Sequence, residues 1–219
     1  VGFPLKQAET FCHNSPCEQP KYNTHMQSFF SGVGIVGTGA MGRGIAQMVA
    51  QAGAQVWLRD VQEGAAASAR EALVRTWQGL VAKNKMTAEA MSACEARLHI
   101  AASAQDLAGC DLVIEAIVER LDVKQALFKE LEGIVRPDAV LASNTSSLSI
   151  TAIASVLQHP GRFAGYHFFN PVPLMKVVEV IAGLKTSPEV CRRLSGLTRA
   201  YGHTPVAAQD TPGFIVNHA

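Results

Sequence analysis

Long apolar runs and a surplus of charge of either sign are both missing from this sequence. No stretch approaches the roughly 20 consecutive apolar residues that a membrane-spanning helix needs. The 19 Lys and Arg residues nearly balance the 18 Asp and Glu residues, and the formal net charge is +1. Because no general field attracts polyanions, we expect neither a nucleic acid nor a membrane as a partner, and any anion must be bound at a local site.

Cysteine is scarce and has no ligand-like spacing. The chain contains five cysteines without a CxxC pair: Cys12, Cys17, Cys94, Cys110 and Cys191. An odd, scattered set argues against both a disulfide framework and a zinc site. Six histidines also share no metal-ligand spacing, and we assign no metal to them: His13, His25, His99, His159, His203 and His218. We therefore expect a cytoplasmic protein, or one of another reducing compartment, that is not secreted.

The amino-terminal residues lack any periodic pattern. Residues 1–31 have neither a positively charged start nor an apolar segment, so we predict an irregular tail and no secretory signal. The pair His25-Met26 leaves open whether the residues before Met26 are native or come from a cloning vector. Periodic patterns fill residues 32–210, which we predict to form one domain.

Short apolar runs alternate with helical patterns within this domain. The apolar positions of residues 41–52 recur at helical spacing, and Gly53 follows as a C-terminal stop. A longer helix is predicted over residues 63–83 and a shorter one from Thr87. The runs predicted as strands are VGIVG, AQVWL, RLHIA, DLVIEA, AVLAS, RFAGYHFF and TPVAA. Strands that are apolar throughout are typical of a mainly parallel sheet with helices on both faces, so we predict a doubly wound α/β fold.

Three glycines mark the turn between the first predicted strand and helix. Gly37, Gly39 and Gly42 form G-x-G-x-x-G in the stretch VGIVGTGAMGRG. The first permits a sharp turn, the second lets the backbone approach a pyrophosphate, and the third lets the helix pack closely. Amides at the start of the helix, at Ala40 and Met41, would then face the phosphates. This context predicts a Rossmann-type dinucleotide site and disfavours a merely flexible joint.

An acidic residue closes the second predicted strand. Asp60 follows the glycines at the offset where a carboxylate accepts hydrogen bonds from the adenosine ribose diol. A carboxylate would repel a 2′-phosphate, which favours NAD over NADP. The neighbouring Arg59 could accept that phosphate, but strand alternation predicts that it points to the other face.

A histidine stands among aromatic residues in GYHFFNPVPLMKVVEVI. Alone, His167 would more often be a hydrogen-bonded core residue than a catalyst. However, Asn170 follows at the end of its strand, two prolines enforce a non-helical turn, and Glu179 lies in an otherwise apolar run. A buried carboxylate needs a partner, and a His–Glu pair on adjoining elements would supply one and fix the tautomer of a general base.

Five motifs together resemble a known family: GTGAMG, LVIEAIVERLDVK, ASNTSSLSITAIA, GYHFFNPVPLMKVVEVI and DTPGFIVN. The chain is similar, over residues 33–217, to the NAD-binding domain of the L-3-hydroxyacyl-CoA dehydrogenase family, which includes 3-hydroxybutyryl-CoA dehydrogenases. In that family an all-helical domain follows, forms the homodimer and closes over the acyl chain. The resemblance implies that residues 211–219 begin that domain and that the rest of it is absent from this chain.

The resemblance also implies an activity and its catalytic residues. The reaction is the NAD-dependent interconversion of L-3-hydroxyacyl-CoA and 3-ketoacyl-CoA, as in fatty-acid β-oxidation or aromatic-acid breakdown, or its reverse in synthesis. His167 would be the general base for the substrate 3-hydroxyl, and Glu179 would orient it and balance its charge. Ser146 and Asn217 would lie beside the substrate oxygen.

Further contacts to the cofactor and to coenzyme A follow from the same resemblance. Asn170 would lie near the nicotinamide, and Glu119 and Lys124 would contact the cofactor. Lys83 would bind coenzyme A, and Thr76 stands where the family has a serine contact.

Simpler interpretations of four of these residues stay open. Glu119 and Lys124 could form an ordinary ion pair at a helix start, and Lys83 could be a solvated surface residue. Ser146 could cap the helix that begins near Ile150.

Two other functions are compatible with the sequence. One is an NAD-dependent β-hydroxyacid dehydrogenase with a lysine base in its second domain, and the other is a non-catalytic, crystallin-like NAD-binding protein. Because hydride transfer needs a closed, dry site, we expect the present chain alone to be weakly active or inactive.

Overall fold

The computed structural model of the protein describes residues 30–211. Several sequence-based predictions lie outside the described residues. These concern residues 1–29, the proposed start of a second domain after residue 211, and Asn217.

Eight strands and six α-helices alternate along the described chain. The strands are β1 (Gly32–Val36), β2 (Gln55–Arg59), β3 (Leu98–Ile100), β4 (Leu112–Glu115), β5 (Val140–Ser143), β6 (Phe163–Phe168), β7 (Val177–Ala182) and β8 (Thr204–Gln209). The helices are α1 (Ala40–Gln51), α2 (Ala65–Ala82), α3 (Ala88–Ala96), α4 (Leu121–Glu132), α5 (Ile150–Ala154) and α6 (Pro188–Ala200). Two short 3-10 helices occupy Ala104–Leu107 and Pro160–Arg162.

All eight strands form one sheet in the order β3-β2-β1-β4-β5-β6-β7-β8. The strands from β3 to β6 pair in parallel, whereas β7 is antiparallel to β6 and β8 is parallel to β7. The predicted α/β, mainly parallel, doubly wound fold is thus confirmed. Strand β7 is missing from the runs predicted as strands, because Glu179 interrupts its apolar pattern.

Hydrophobic cores cover both faces of the sheet. On one face, α1, α2 and α6 pack through residues such as Ile45, Trp77 and Leu194. On the other face, α4 and α5 pack through residues such as Phe128 and Ile153. Successive residues of a strand enter opposite cores, which is why the strands are apolar throughout.

The predicted helix starts and ends agree with the structure to within a few residues. Helix α2 lies inside the predicted residues 63–83, and Thr87 caps α3 by accepting a hydrogen bond from the amide of Ala90. None of the helices in residues 30–211 is long and apolar enough to cross a membrane.

Candidate active site

A cleft opens at the edge of the sheet where the parallel strands end. Strands β1, β4, β5 and β6 run in the same direction, so the residues that follow them meet at one edge. The chain reverses its winding between β1 and β4, and ligands of doubly wound folds bind at such a point. The residues that line the cleft are Met41, Ala116, Ile117, Glu119, Asn144, Ser146, His167, Phe168, Phe169 and Asn170.

The glycine motif forms a tight turn from β1 into α1. Gly37 has φ +93°, and a Cβ there would lie 2.6 Å from the Ala116 carbonyl oxygen. At Gly42, a Cβ would lie 1.8 Å from the carbonyl oxygen of Gly37. By contrast, a Cβ at Gly39 would meet no atom within 4 Å, which leaves open space in front of the N-cap of α1. The turn therefore fits a pyrophosphate, since the N-terminal amides of α1 lie next to that space.

Asp60 lies at the end of β2, beside this turn. Its Oδ2 accepts hydrogen bonds from the Thr38 amide at 2.7 Å and the Thr38 hydroxyl at 2.8 Å, and its Oδ1 accepts from the Gln62 amide at 3.0 Å. Burial alone would raise the pKa of Asp60, but these hydrogen bonds outweigh it and lower the pKa. The side chain is held as a carboxylate, the form that accepts bonds from a ribose diol.

His167 and Glu179 are directly opposite residues of β6 and β7. The antiparallel register pairs the two residues, and Nδ1 of His167 lies 2.7 Å from Oε2 of Glu179. Glu179 is fully buried and His167 is nearly so. The ring of Phe169 lies 4.5 Å from the imidazole, centroid to centroid. The predicted pair therefore forms, on a rigid sheet and at the cleft.

Glu119 binds the loop that follows β5. One carboxylate oxygen, Oε1, accepts the Thr145 hydroxyl at 2.6 Å, the Ser146 amide at 2.9 Å and the Ser147 amide at 3.2 Å. Burial alone would raise the pKa of Glu119, but the Thr145 hydrogen bond, the charge of Lys124 and the Ser146 amide outweigh it and lower the pKa to about 2. Glu119 is therefore a carboxylate, and this carboxylate holds the Ser146 amide at the cleft.

Ser146 does not cap the following helix, so that alternative is wrong. The N-cap of α5 is Ser149, whose hydroxyl accepts the amide of Ala152 at 3.1 Å. Asp210 supports the same helix start, because its carboxylate accepts the amides of Ile150 and Thr151, each at 2.7 Å. Ser146 instead donates to Glu119 through its backbone amide and its hydroxyl.

Lys124 lies beneath Glu119 and is 1% exposed. Its ammonium is 2.5 Å from Oε1 of Glu115 and 3.2 Å from Oε2 of Glu119. The ion pair expected at a helix start does form, but a buried lysine between two carboxylates is more than a solvated surface pair. A contact of Lys124 with the cofactor stays a prediction.

Of the remaining predicted residues, one lies at the cleft and two lie away from it. Asn170 lies at the cleft, in the turn that follows β6. Thr76 and Lys83 are exposed on α2 and at its end, and they are not among the residues that line the cleft. Thr76 donates its hydroxyl back to the Ala72 carbonyl at 2.9 Å. The structure thus brings Ser146, His167 and Asn170 together, but not the two residues expected to contact coenzyme A.

Three residues of the site were not predicted from the sequence. Asn144 accepts the amide of Phe168 through its side chain at 2.9 Å, Thr145 binds Glu119, and Glu115 accepts the Ser143 hydroxyl at 2.7 Å as well as Lys124. A signal existed for Glu115, since a carboxylate ending an apolar strand needs a partner. Within the described residues, no group of three or more His, Cys, Asp or Glu side chains could hold a metal ion.

Comparison with known proteins identifies relatives. Residues 32–211 match the family model described as the NAD-binding domain of 3-hydroxyacyl-CoA dehydrogenase. Over 185 residues the chain is 46% identical to a 3-hydroxyadipyl-CoA dehydrogenase of Escherichia coli, covering 84% of this chain and 39% of that protein. Over 184 residues it is 44% identical to a probable 3-hydroxybutyryl-CoA dehydrogenase of Deinococcus radiodurans, covering 84% of this chain and 66% of the relative.

A solved structure has the same fold. The crystal structure of 3-hydroxybutyryl-CoA dehydrogenase from Escherichia coli matches with a TM-score of 0.84 and 45% identity, over 86% of this chain and 40% of that chain. The present chain therefore spans between two fifths and two thirds of the length of these relatives. It belongs to the 3-hydroxyacyl-CoA dehydrogenase family, whose NAD-binding domain it contains.

Proposed function

We propose that this protein takes part in the NAD-dependent interconversion of L-3-hydroxyacyl-CoA and 3-ketoacyl-CoA. The observation that carries the proposal is the placement of the His167–Glu179 pair. The pair lies at the edge of the sheet where the glycine turn opens, and His167 lines the same cleft as Met41 at the start of α1. A base and a dinucleotide site at one cleft are what hydride transfer from an alcohol requires.

His167 acts as the general base in this proposal. The Nδ1 proton of the imidazole is directed at Glu179, so that Nε2 accepts the proton of the substrate 3-hydroxyl. The arriving proton creates an imidazolium, which the buried Glu179 carboxylate stabilises. Bound NAD supplies the hydride acceptor for C3 of the substrate. The hydroxyl has then lost one proton to His167 and its carbon one hydride, which leaves the 3-keto group.

Other residues of the chain hold the reactants. The amides at the glycine turn and Asp60 would bind the diphosphate and the adenosine ribose, and Asn170 would orient the nicotinamide. Ser146 would stay bound to Glu119 through its backbone amide and would turn its hydroxyl, which donates to Glu119 in this structure, toward the substrate oxygen. We propose the same for Asn217, and coenzyme A contacts for Thr76 and Lys83.

The partners and the setting of the protein follow the same reasoning. The names of the relatives specify 3-hydroxyadipyl-CoA and 3-hydroxybutyryl-CoA, so we propose an acyl-CoA substrate here. The cysteines of the described part, Cys94, Cys110 and Cys191, are free thiols, which supports a reducing compartment. Dimer formation through a further helical domain stays a prediction.

A single-turnover assay tests the proposal. With enzyme in excess over NADH, acetoacetyl-CoA should cause a loss of NADH absorbance that His167→Ala slows by about 10²–10⁴-fold. The matched control is His159→Ala, an exposed histidine at the opposite edge of the sheet. Both variants should bind NADH like the parent chain.

Each rival predicts a different result. A non-catalytic NAD-binding protein would bind NADH without any acetoacetyl-CoA-dependent oxidation, even in a version extended to the full length of the relatives. A dehydrogenase with a lysine base would act on β-hydroxyacids that lack coenzyme A and would be indifferent to His167→Ala.

A further inference from the structure

A buried histidine that the proposed reaction does not use lies between the cleft and the last strand. His203 precedes β8 and is 4% exposed. Its Nε2 lies 2.9 Å from the carbonyl oxygen of Val172, and its Nδ1 lies 3.3 Å from the carbonyl oxygen of Tyr201. The first distance is in the middle of the hydrogen-bond range and the second at its long end, so the bond to Val172 is the stronger one.

Val172 belongs to the turn that carries Asn170 at the cleft. Its side chain is 2% exposed and packs against Gly44 of α1, where an added Cβ would lie 2.8 Å from the Val172 Cβ. Asn170 itself is exposed, two residues earlier. The position of Asn170 therefore depends on how Val172 is held against the helix that begins at the glycine motif.

Two hydrogen bonds attach this turn to the start of β8. One is the bond between His203 and Val172, and the other runs from the Thr204 amide to the Lys176 carbonyl at 2.7 Å. The Thr204 bond holds the far end of the turn, next to β7. The His203 side chain reaches the end that carries Asn170.

We propose that His203 is a positioning residue of the nicotinamide site. It donates from Nε2 to the Val172 carbonyl and thereby holds Asn170 at the cleft. Without this donor, the Val172 carbonyl would be buried unpaired, and the turn would shift toward water. The inference rests on the proposed function, because it takes Asn170 to be the nicotinamide contact.

Three substitutions separate the hydrogen bond from the bulk of the ring. The amide nitrogen of His203→Gln can reach the position of Nε2, whereas that of His203→Asn reaches only the position of Nδ1. His203→Leu places no donor at either position. Affinity is measured for NADH and for ADP-ribose, which shares the adenosine, diphosphate and second ribose but lacks the nicotinamide.

We expect a loss that is specific to the nicotinamide. His203→Leu and His203→Asn should weaken NADH binding about fivefold and leave ADP-ribose binding within twofold, and His203→Gln should retain the parent affinity for both. Asn170→Ala should show the same NADH-specific loss, and the double variant Asn170→Ala/His203→Leu should lose no more than Asn170→Ala alone, because the two residues act as one unit.

Other outcomes overturn specific claims. Equal NADH affinity in the Asn and Gln variants, or equal losses for both ligands, would overturn the role of His203 even if the Leu variant failed to fold. A parent chain that bound neither ligand would overturn the proposed function, and the inference with it. If Asn170→Ala bound NADH normally, the assumed nicotinamide contact would be wrong.

Discussion

The glycine turn and the His–Glu pair lie at one edge of the same sheet, yet they are built in opposite ways. The turn is made by neighbours in sequence. Its function depends on backbone amides and on the lack of a Cβ at its glycines. The pair depends on two polar side chains that lie opposite each other because of the antiparallel register of β6 and β7. The first is a matter of local steric fit, and the second of strand pairing.

This difference predicts that the two regions fail separately. A disturbed turn should abolish dinucleotide binding, because every later step needs the cofactor in place. A disturbed pair should slow the reaction while binding persists, because the side chains act on the substrate proton. The two properties can therefore be measured independently in one set of variants.

The largest effect is expected from Gly42→Ala. Its Cβ would lie 1.8 Å from the Gly37 carbonyl oxygen, so the turn has to open. We expect NADH affinity to fall by about 100-fold or more, which corresponds to roughly 2.8 kcal/mol. Fluorescence titration with NADH measures this loss of affinity.

Gly79→Ala in α2 is the control, since a Cβ there meets nothing within 4 Å and should stabilise the helix by about 0.5–1 kcal/mol. Near-parent affinity in Gly42→Ala would refute the steric argument.

Glu179→Gln should impair the His–Glu pair and slow the reaction. An amide can donate to Nδ1 of His167 and so favour the tautomer that carries its proton on Nε2, and it cannot stabilise an imidazolium. We expect the single-turnover rate to fall by about 100-fold with NADH affinity within twofold. Glu130→Gln, on the exposed side of α4, is the control. A parallel loss of affinity would show that the two regions are not separable.

Asp60→Asn tests the adenosine end of the dinucleotide site and should lower NADH affinity less than Gly42→Ala does. Removing the charge weakens the hydrogen bonds to the ribose and lifts the repulsion of a 2′-phosphate. We expect NADH affinity to fall about tenfold and NADPH affinity to change little or rise, so that the gap between the two narrows. Asp138→Asn, exposed at the opposite edge of the sheet, should leave both affinities unchanged. An unchanged NADH/NADPH ratio in Asp60→Asn would remove the argument for NAD selectivity.

The smallest effect concerns Glu119 and stability. Its pKa in the folded protein is about 2, below the ordinary 4.5. The stabilisation that the Glu119 carboxylate gives to the folded protein is therefore complete above about pH 4.5 and is lost as the pH falls toward 2. Since about a third of the side chain meets solvent, we expect Glu119→Gln to cost only about 1 kcal/mol at pH 7.

Urea unfolding at several pH values checks this prediction. The difference in unfolding free energy between the parent and Glu119→Gln should shrink between pH 4.5 and pH 2. A difference that stayed constant over that range would mean that the carboxylate form of Glu119 is not what the loop requires.

Sequence patterns predicted much of the fold and part of the site. The glycine spacing, the apolar runs and the offset of Asp60 are local features. They predicted the β1–α1 turn, most of the strands and an acidic residue at the end of β2, and the structure contains all three. The sequence also indicated a partner for Glu179. It did not predict that Glu119 binds residues 145–147 or that Ser149, not Ser146, caps α5. Two serines three residues apart are equally suited to be caps, and the positions of Glu119 beside Ser146 and Asp210 beside Ser149 distinguish them.

The amino-acid sequence by itself determined the glycine turn, because the positive φ of Gly37 and the close approach of Gly42 to the Gly37 carbonyl arise within a few residues of chain. The tertiary structure alone decided that β7 is antiparallel to β6, that Lys124 lies buried between Glu115 and Glu119, and that His203 meets the Val172 carbonyl. These contacts join residues that are distant along the chain or lie on different elements. Their formation depends on strand order and register, which local periodicity does not specify.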